Sequence, residues 1–118
     1  MQTVLVIEDD QNTAALVTLY LEREGFRTLT AGDGPAGLAL ARRHQPNLVI
    51  LDLMLPEMDG WELLQRLKNH PQTNEIPVVM CSVLDSPELA YSLGAALFLP
   101  KPVSRDDVLS ALSQLGVV

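Results

Sequence analysis

Reactive side chains stand directly after short apolar runs at four separate places in the chain. They are a run of acids, a lone acid, a hydroxyl and an ammonium: Glu8-Asp9-Asp10, Asp52, Ser82 and Lys101. Apolar runs of this length are typical of buried strands. Because the carboxyl ends of parallel strands meet at one edge of a sheet, we expect these groups to form one site.

Carboxylates gathered at one site repel one another. At about 5 Å and an effective dielectric near 20, each ionised pair costs roughly 3 kcal/mol. A divalent cation offsets that cost, and carboxylate oxygens suit Mg²⁺, which also takes phosphate oxygens. We therefore expect Glu8, Asp9 and Asp52 to hold Mg²⁺. The alternative for the first run is a helix start that favours acids, and this explains Asp10 fully.

Asp52 can also act as a nucleophile and form an acyl phosphate. Phosphoryl transfer then needs in-line positioning and charge neutralisation, which Mg²⁺ and Lys101 would supply. Each residue also has a simpler interpretation when taken alone. Asp52 would be a turn aspartate, Lys101 a solvated surface lysine between two prolines, and Ser82 a strand-end hydroxyl rather than a donor to a phosphoryl oxygen.

Strand and helix patterns alternate along the whole chain. Continuous apolar runs predict strands at residues 4–7, 48–51, 77–81 and 95–99, with a weaker edge strand at 27–31. The alternation predicts an α/β fold with helices on both faces of a parallel sheet. Its size suggests a flavodoxin-like doubly wound five-stranded parallel sheet of order 2-1-3-4-5 with five helices.

Helix signals fill the segments between the strands. Residues 11–24 place Leu16, Val17 and Tyr20 on one face and end at Gly25. A second helix covers residues 35–44, although Gly37 weakens it. Asp59, Ser86 and Ser104 are predicted N-caps of the last three helices, and Pro87 opens the fourth.

Composition limits the possible functions. The 118 residues fit one domain over 1–118, without an output domain, and 47% hydrophobic residues suffice for a core. The net charge of −7 argues against direct nucleic-acid binding and against anionic membranes. The single cysteine, Cys81, excludes an internal disulfide and favours a cytoplasmic location. No apolar stretch approaches the roughly 18 residues of a membrane span.

These motifs together resemble the receiver domain of bacterial two-component response regulators. The resemblance covers the whole chain. It rests on five segments in order: residues 6–10, residues 51–60, residues 76–82, Gly94-Ala95 and Lys101-Pro102. It implies a phosphorylation-driven signalling switch of a two-component phosphorelay, which takes part in its own chemistry but turns over no external metabolite.

The resemblance also implies a role for each residue of the site. Asp52 would be the phosphoacceptor, supplied by a sensor histidine kinase or a histidine phosphotransfer protein. Asp9 would bind Mg²⁺ directly, Glu8 mainly through water, and Met54 through its backbone carbonyl. Ser82 would be the switch hydroxyl and Lys101 the partner of the phosphoryl group, followed by a cis bond to Pro102. Phe98 would be the switch aromatic, or else an ordinary half-buried strand residue.

Departures from the family pattern add two expectations. Val83 is larger than the usual residue after the switch hydroxyl, and Met54 and Leu84 are apolar where polar groups often guide the hydrolytic water. We therefore expect a long-lived phosphoform. The last strand lacks the acidic pair found in receivers of winged-helix regulators, which makes dimerisation through that charged face doubtful. An apolar patch of Tyr91, Leu97 and Phe98, on the face formed by helix 4, strand 5 and helix 5, is instead the candidate surface for a downstream protein.

Three other classes of protein compete with this interpretation. An aspartate-nucleophile phosphatase commonly has a second acid two residues after the nucleophile, but Met54 occupies that position here. A pseudo-receiver that is never phosphorylated would not need all of Glu8, Asp9, Asp52, Ser82 and Lys101. An electron-transfer flavodoxin would need a phosphate-binding loop after the first strand, and this loop is absent.

Overall fold

The computed structural model describes residues 2–84 and 86–117, and the ends of the expected 1–118 domain lie outside these ranges. Five strands alternate with five helices. The strands β1 to β5 are Thr3–Ile7, Arg27–Ala31, Leu48–Asp52, Val78–Ser82 and Leu97–Pro100. The helices α1 to α5 are Gln11–Arg23, Gly34–His44, Gly60–Lys68, Pro87–Ser92 and Arg105–Gln114. None of these helices has the length and apolar character needed to cross a bilayer.

All strand pairs of the sheet are parallel, and the strand order is β2-β1-β3-β4-β5. This confirms the predicted doubly wound fold. The central strands β3 and β4 are buried along their whole length, whereas β2 is partly exposed, as expected for an edge strand. Because β1 and β3 are neighbours, the residues that follow Ile7 and Leu51 emerge side by side.

Side chains alternate between the two faces of the sheet and form two cores. One core packs Leu5, Ile7 and Leu51 against α2 and α3. The other packs Val6 and Ile50 against α1 and α5. Cys81 belongs to the second core, and burial raises the pKa of its thiol to about 12, which fits an inert apolar role.

Helix caps largely follow the sequence signals. Asp10, Asp33 and Asp59 each accept a hydrogen bond from a backbone N–H in the first turn of their helix. Ser104 and Asp107 form a capping box at α5. Ser86 holds the predicted N-cap position of α4 and Pro87 begins the helix, although the Ser86 side chain makes no capping bond.

Two predictions need correction. In α1 the buried residues are Val17 and Leu21, whereas Leu16 is 46% exposed. The last strand begins at Leu97 rather than residue 95, because the Ala95 N–H donates to the Ala90 carbonyl at 2.9 Å and closes the turn after α4. Ala95 is therefore used by the turn and not by the strand.

Close packing fixes two glycines. A Cβ on Gly37 would lie 2.5 Å from Ile7 Cδ1, so this glycine lets α2 approach β1. A Cβ on Gly60 would lie 2.5 Å from the backbone Cα of Leu53, directly after Asp52. The Gly60 N–H also donates to the Leu53 carbonyl at 2.7 Å. Gly60 thus holds the start of α3 against the segment that carries the lone acid.

We expect Gly60→Ala to lower the free energy of unfolding by about 1–3 kcal/mol, since the new methyl group meets backbone that cannot rotate away. Urea unfolding followed by circular dichroism measures the change. Gly32→Ala is the matched control, because a Cβ there meets nothing within 4 Å. Equal stability of the two variants would contradict this account of Gly60.

Candidate functional site

The acids that follow β1 and β3 converge at one edge of the sheet. Glu8, Asp9 and Asp52 each offer a carboxylate oxygen, and these oxygens all lie within 4.8 Å of one another. Glu8 and Asp52 are buried, at 7% and 6% exposure, whereas Asp9 is exposed. The expected convergence of these three residues is therefore observed.

Strand pairing positions each acid. The Glu8 N–H donates to the Ala31 carbonyl at 2.9 Å, so pairing with β2 extends one residue beyond β1. Asp52 ends β3 opposite Cys81, and its Oδ1 accepts a hydrogen bond from the Met54 N–H at 3.2 Å. The Asp52 carboxylate is thus held by its own loop on one side.

Asp10 has a different role from its two neighbours. Its side chain accepts hydrogen bonds from the Asn12 N–H at 3.1 Å and the Thr13 hydroxyl at 2.8 Å. These bonds lower the pKa of Asp10, and the bond from Thr13 has the largest effect. Asp10 is therefore the N-cap of α1, as the sequence indicated.

Lys101 brings the only cation that contacts these acids in the described part of the chain. Its Nζ lies 2.6 Å from Glu8 Oε1 and 3.2 Å from Asp52 Oδ2. The backbone N–H of Lys101 donates to the Ser82 carbonyl at 2.9 Å. The peptide bond between Lys101 and Pro102 is cis, as the resemblance implied. The pairing with Glu8 was not predicted, because no local signal joins residues 93 positions apart.

The electrostatics of the cluster are unbalanced. Burial raises the pKa of Glu8 to about 7; the hydrogen bond from Lys101 opposes this effect, and the nearby Asp52 carboxylate adds to it. For Lys101, burial lowers the pKa, but the hydrogen bond to Glu8 and the charges of Asp52 and Glu8 outweigh it, so the net shift is upward. One ammonium faces three carboxylates, and the surplus of negative charge favours a cation.

Ser82 is the last residue of β4, and Phe98 is the second residue of β5. Ser82 is fully buried, and its Oγ accepts a hydrogen bond from the Leu84 N–H at 3.0 Å. Phe98 is half-buried and packs against the core that contains Met80 and Ala90. Its N–H donates to the Tyr91 hydroxyl at 3.3 Å, a contact that the sequence did not indicate.

The rim around the acids is apolar. Met54, Val83 and Leu84 are 57%, 70% and 48% exposed, and Leu16 of α1 is 46% exposed. A groove of about 280 Å³ beside Lys101 is lined by Leu16, Val83 and Pro102, among others. The polar site is thus surrounded by exposed side chains that offer contact area to a second molecule.

Comparison with known proteins places this geometry in a family. Residues 4–113 match the model of the response regulator receiver domain. Among curated proteins, the DNA-binding dual master transcriptional regulator RpaA of Synechocystis is 37% identical over 98% of this chain and 49% of its own length. The response regulator PleD of Caulobacter vibrioides is 38% identical over 90% of this chain and 24% of its own length.

The chain therefore spans about half or less of these curated relatives. Among solved structures, the chemotaxis response regulator CheY4 of Vibrio cholerae aligns with a TM-score of 0.91 at 28% identity, covering 98% of both chains. The response regulator Rcp1, solved in its Mn(2+)-bound form, aligns at 0.78 with 27% identity over 98% of this chain and 91% of that chain.

Receiver domains of this kind are signalling switches of two-component systems and not enzymes that turn over an external substrate. The match extends over nearly the whole chain, the strand order agrees, and the acidic cluster fits magnesium binding. The chain belongs to the family of response regulator receiver domains.

Proposed function

We propose that Asp52 is the phosphoacceptor of a two-component phosphorelay and that Mg²⁺ supports its phosphorylation. One observation carries this proposal: the oxygens of Glu8, Asp9 and Asp52 meet within 4.8 Å while Lys101 Nζ lies 3.2 Å from Asp52 Oδ2. A buried nucleophile, an acidic pair and an ammonium are the groups that phosphoryl transfer to a carboxylate requires.

In the transfer, a carboxylate oxygen of Asp52 attacks the phosphorus of a phosphohistidine on a histidine kinase or phosphotransfer protein. The P–N bond breaks, and the imidazole leaves with its electron pair and takes a proton. Lys101 neutralises charge on the phosphoryl oxygens, and the Ser82 hydroxyl donates to one of them after leaving the Leu84 N–H. Small phosphodonors would serve in the same way, followed by slow self-hydrolysis.

The donor set of the cluster fits magnesium. Asp9, Asp52 and the Met54 carbonyl would hold the ion directly, and Glu8, paired with Lys101, would act through water. Bound Mg²⁺ would offset the surplus negative charge and neutralise phosphoryl oxygens. The Mn(2+)-bound form of the related Rcp1 supports a divalent ion here.

Phosphorylation would act on partners through Ser82 and Phe98. Movement of the Ser82 hydroxyl toward the phosphoryl group would open space for the Phe98 ring to turn inward. This would alter the surface formed by α4, β5 and α5, where Tyr91 is 48% exposed and Leu97 and Phe98 are half-buried. A downstream protein would read that change. The phosphodonor protein would dock on the apolar rim beside Lys101.

Asp52→Asn should abolish phosphorylation, because the amide cannot form an acyl phosphate. The protein is incubated with Mg²⁺ and acetyl phosphate, and phosphorylation is read by intact mass and by Trp61 fluorescence. Asp33→Asn is the matched control, since Asp33 caps α2 and is not one of the three clustered acids. A phosphorylated Asp52→Asn protein would remove the proposed acceptor.

Asp9→Asn should weaken Mg²⁺ binding by about tenfold or more, since it removes a charged ligand worth at least 1.4 kcal/mol. Titration of Trp61 fluorescence with Mg²⁺ measures the change. Asp10→Asn is the control, because an asparagine still caps α1 and Asp10 lies outside the cluster. Equal Mg²⁺ affinity of the two variants would argue against a direct role for Asp9.

The phosphoform should outlast seconds, because Met54 and Leu84 offer the attacking water no side-chain hydrogen bond. Met54→Asn should then speed self-hydrolysis by roughly 2- to 12-fold, the effect of one hydrogen bond of about 0.5–1.5 kcal/mol. Loss of the phosphoryl group after removal of the donor is followed by intact mass. Leu19→Asn, at an apolar position on α1 that is 43% exposed against 57% for Met54, is the control. Hydrolysis of the parent within seconds would contradict the expectation.

A further inference from the structure

The outer edge of β5 has one backbone donor to satisfy. The Lys101 N–H points inward, to the Ser82 carbonyl of β4. Since N–H groups of successive strand residues point to opposite sides, positions 98 and 100 face outward. Pro100 has no N–H. The N–H of Phe98 is therefore the outward donor of the strand Leu97–Pro100.

Tyr91 of α4 provides the acceptor for this donor. The Phe98 N–H donates to the Tyr91 hydroxyl oxygen at 3.3 Å. The bond joins α4 to the backbone of the residue whose ring the proposed function assigns to the switch. A side chain on the partner-facing surface thus contacts the switch residue directly.

Helix α4 is short and has no side-chain cap at its start. It is six residues long, Ser86 makes no side-chain capping bond, and Ala90 is its buried residue. A helix of this length is marginal without tertiary contacts. The hydrogen bond to β5 therefore adds to the packing of Ala90 in holding α4 in place.

The Tyr91–Phe98 bond is present in a structure in which Ser82 and Lys101 contact other residues of the site. Ser82 Oγ accepts a hydrogen bond from the Leu84 N–H, and Lys101 contacts Glu8 and Asp52. The polar groups of the switch are thus engaged with one another. The Tyr91 bond adds stability to this arrangement, and any state in which α4 separates from Phe98 loses it.

We propose that Tyr91 is a positioning residue whose hydroxyl biases the conformational equilibrium of the domain toward the unphosphorylated arrangement. The proposal rests on the proposed function, since it assigns a bias to the equilibrium that phosphorylation of Asp52 shifts. The Tyr91 bond lowers the fraction of molecules in the other state. A ligand that binds only that state therefore has an apparent affinity reduced by the same factor. One net hydrogen bond corresponds to roughly 2- to 12-fold in that population.

The test compares Tyr91→Phe with Tyr20→Phe, which removes the same hydroxyl from a half-buried tyrosine on α1. Beryllofluoride, a stable mimic of the phosphoryl group, is titrated in Mg²⁺ and followed by Trp61 fluorescence. We expect Tyr91→Phe to bind it roughly 2- to 12-fold more tightly than the parent, and Tyr20→Phe to match the parent. An unchanged or weaker affinity of Tyr91→Phe would overturn the proposal.

A second measurement examines the bond itself without any phosphoryl mimic. Amide hydrogen exchange at Phe98 should quicken by a similar factor in Tyr91→Phe and stay constant in Tyr20→Phe. Unchanged exchange would also overturn the proposal. The Asp52→Asn variant distinguishes failure of the proposed function from failure of the role of Tyr91. If the parent responds to beryllofluoride no more than Asp52→Asn does, both the proposed function and the role of Tyr91 are wrong. If the parent alone responds and Tyr91→Phe equals it, only the role of Tyr91 falls.

Discussion

The contact of Lys101 with two buried carboxylates is the interaction on which the site depends. Glu8 and Asp52 lose most of their water at the edge of the sheet, and two such anions repel strongly in a poorly screened environment. Lys101 offsets part of that cost, although burial, and to a smaller extent Asp52, still raise the pKa of Glu8. The remaining negative charge is what makes the cluster suited to a divalent ion.

Backbone packing keeps these charges in place. The parallel register of β1 with β3 fixes how close Glu8 and Asp52 emerge, and the pairing of β4 with β5 does the same for Ser82 and Lys101. Gly60 lets α3 start in contact with Leu53, so that the loop after Asp52 has no freedom to swing away. The site is precise because strands and close contacts hold it, rather than long flexible loops.

Much of this could be predicted from the sequence, because the signals were local. Apolar runs gave the strands, and acids and serines before helices gave most caps. Side-chain contacts between different helices and strands could not be predicted in this way. The Lys101–Glu8 pair and the Tyr91–Phe98 bond depend on how α4 and β5 meet the rest of the fold. Leu16 was misjudged because the apolar stripe of α1 is narrower than its composition implies, and Val17 and Leu21 suffice to fill the core.

The way β5 ends its sheet also bears on behaviour in a crowded solution. An open strand edge is a template onto which another chain can add, and proteins block such edges to avoid aggregation. Here proline removes one donor and a phenol occupies the next, so β5 presents little for a foreign strand to pair with. The same few atoms that connect a helix to the switch therefore also leave fewer backbone donors for strand addition at that edge.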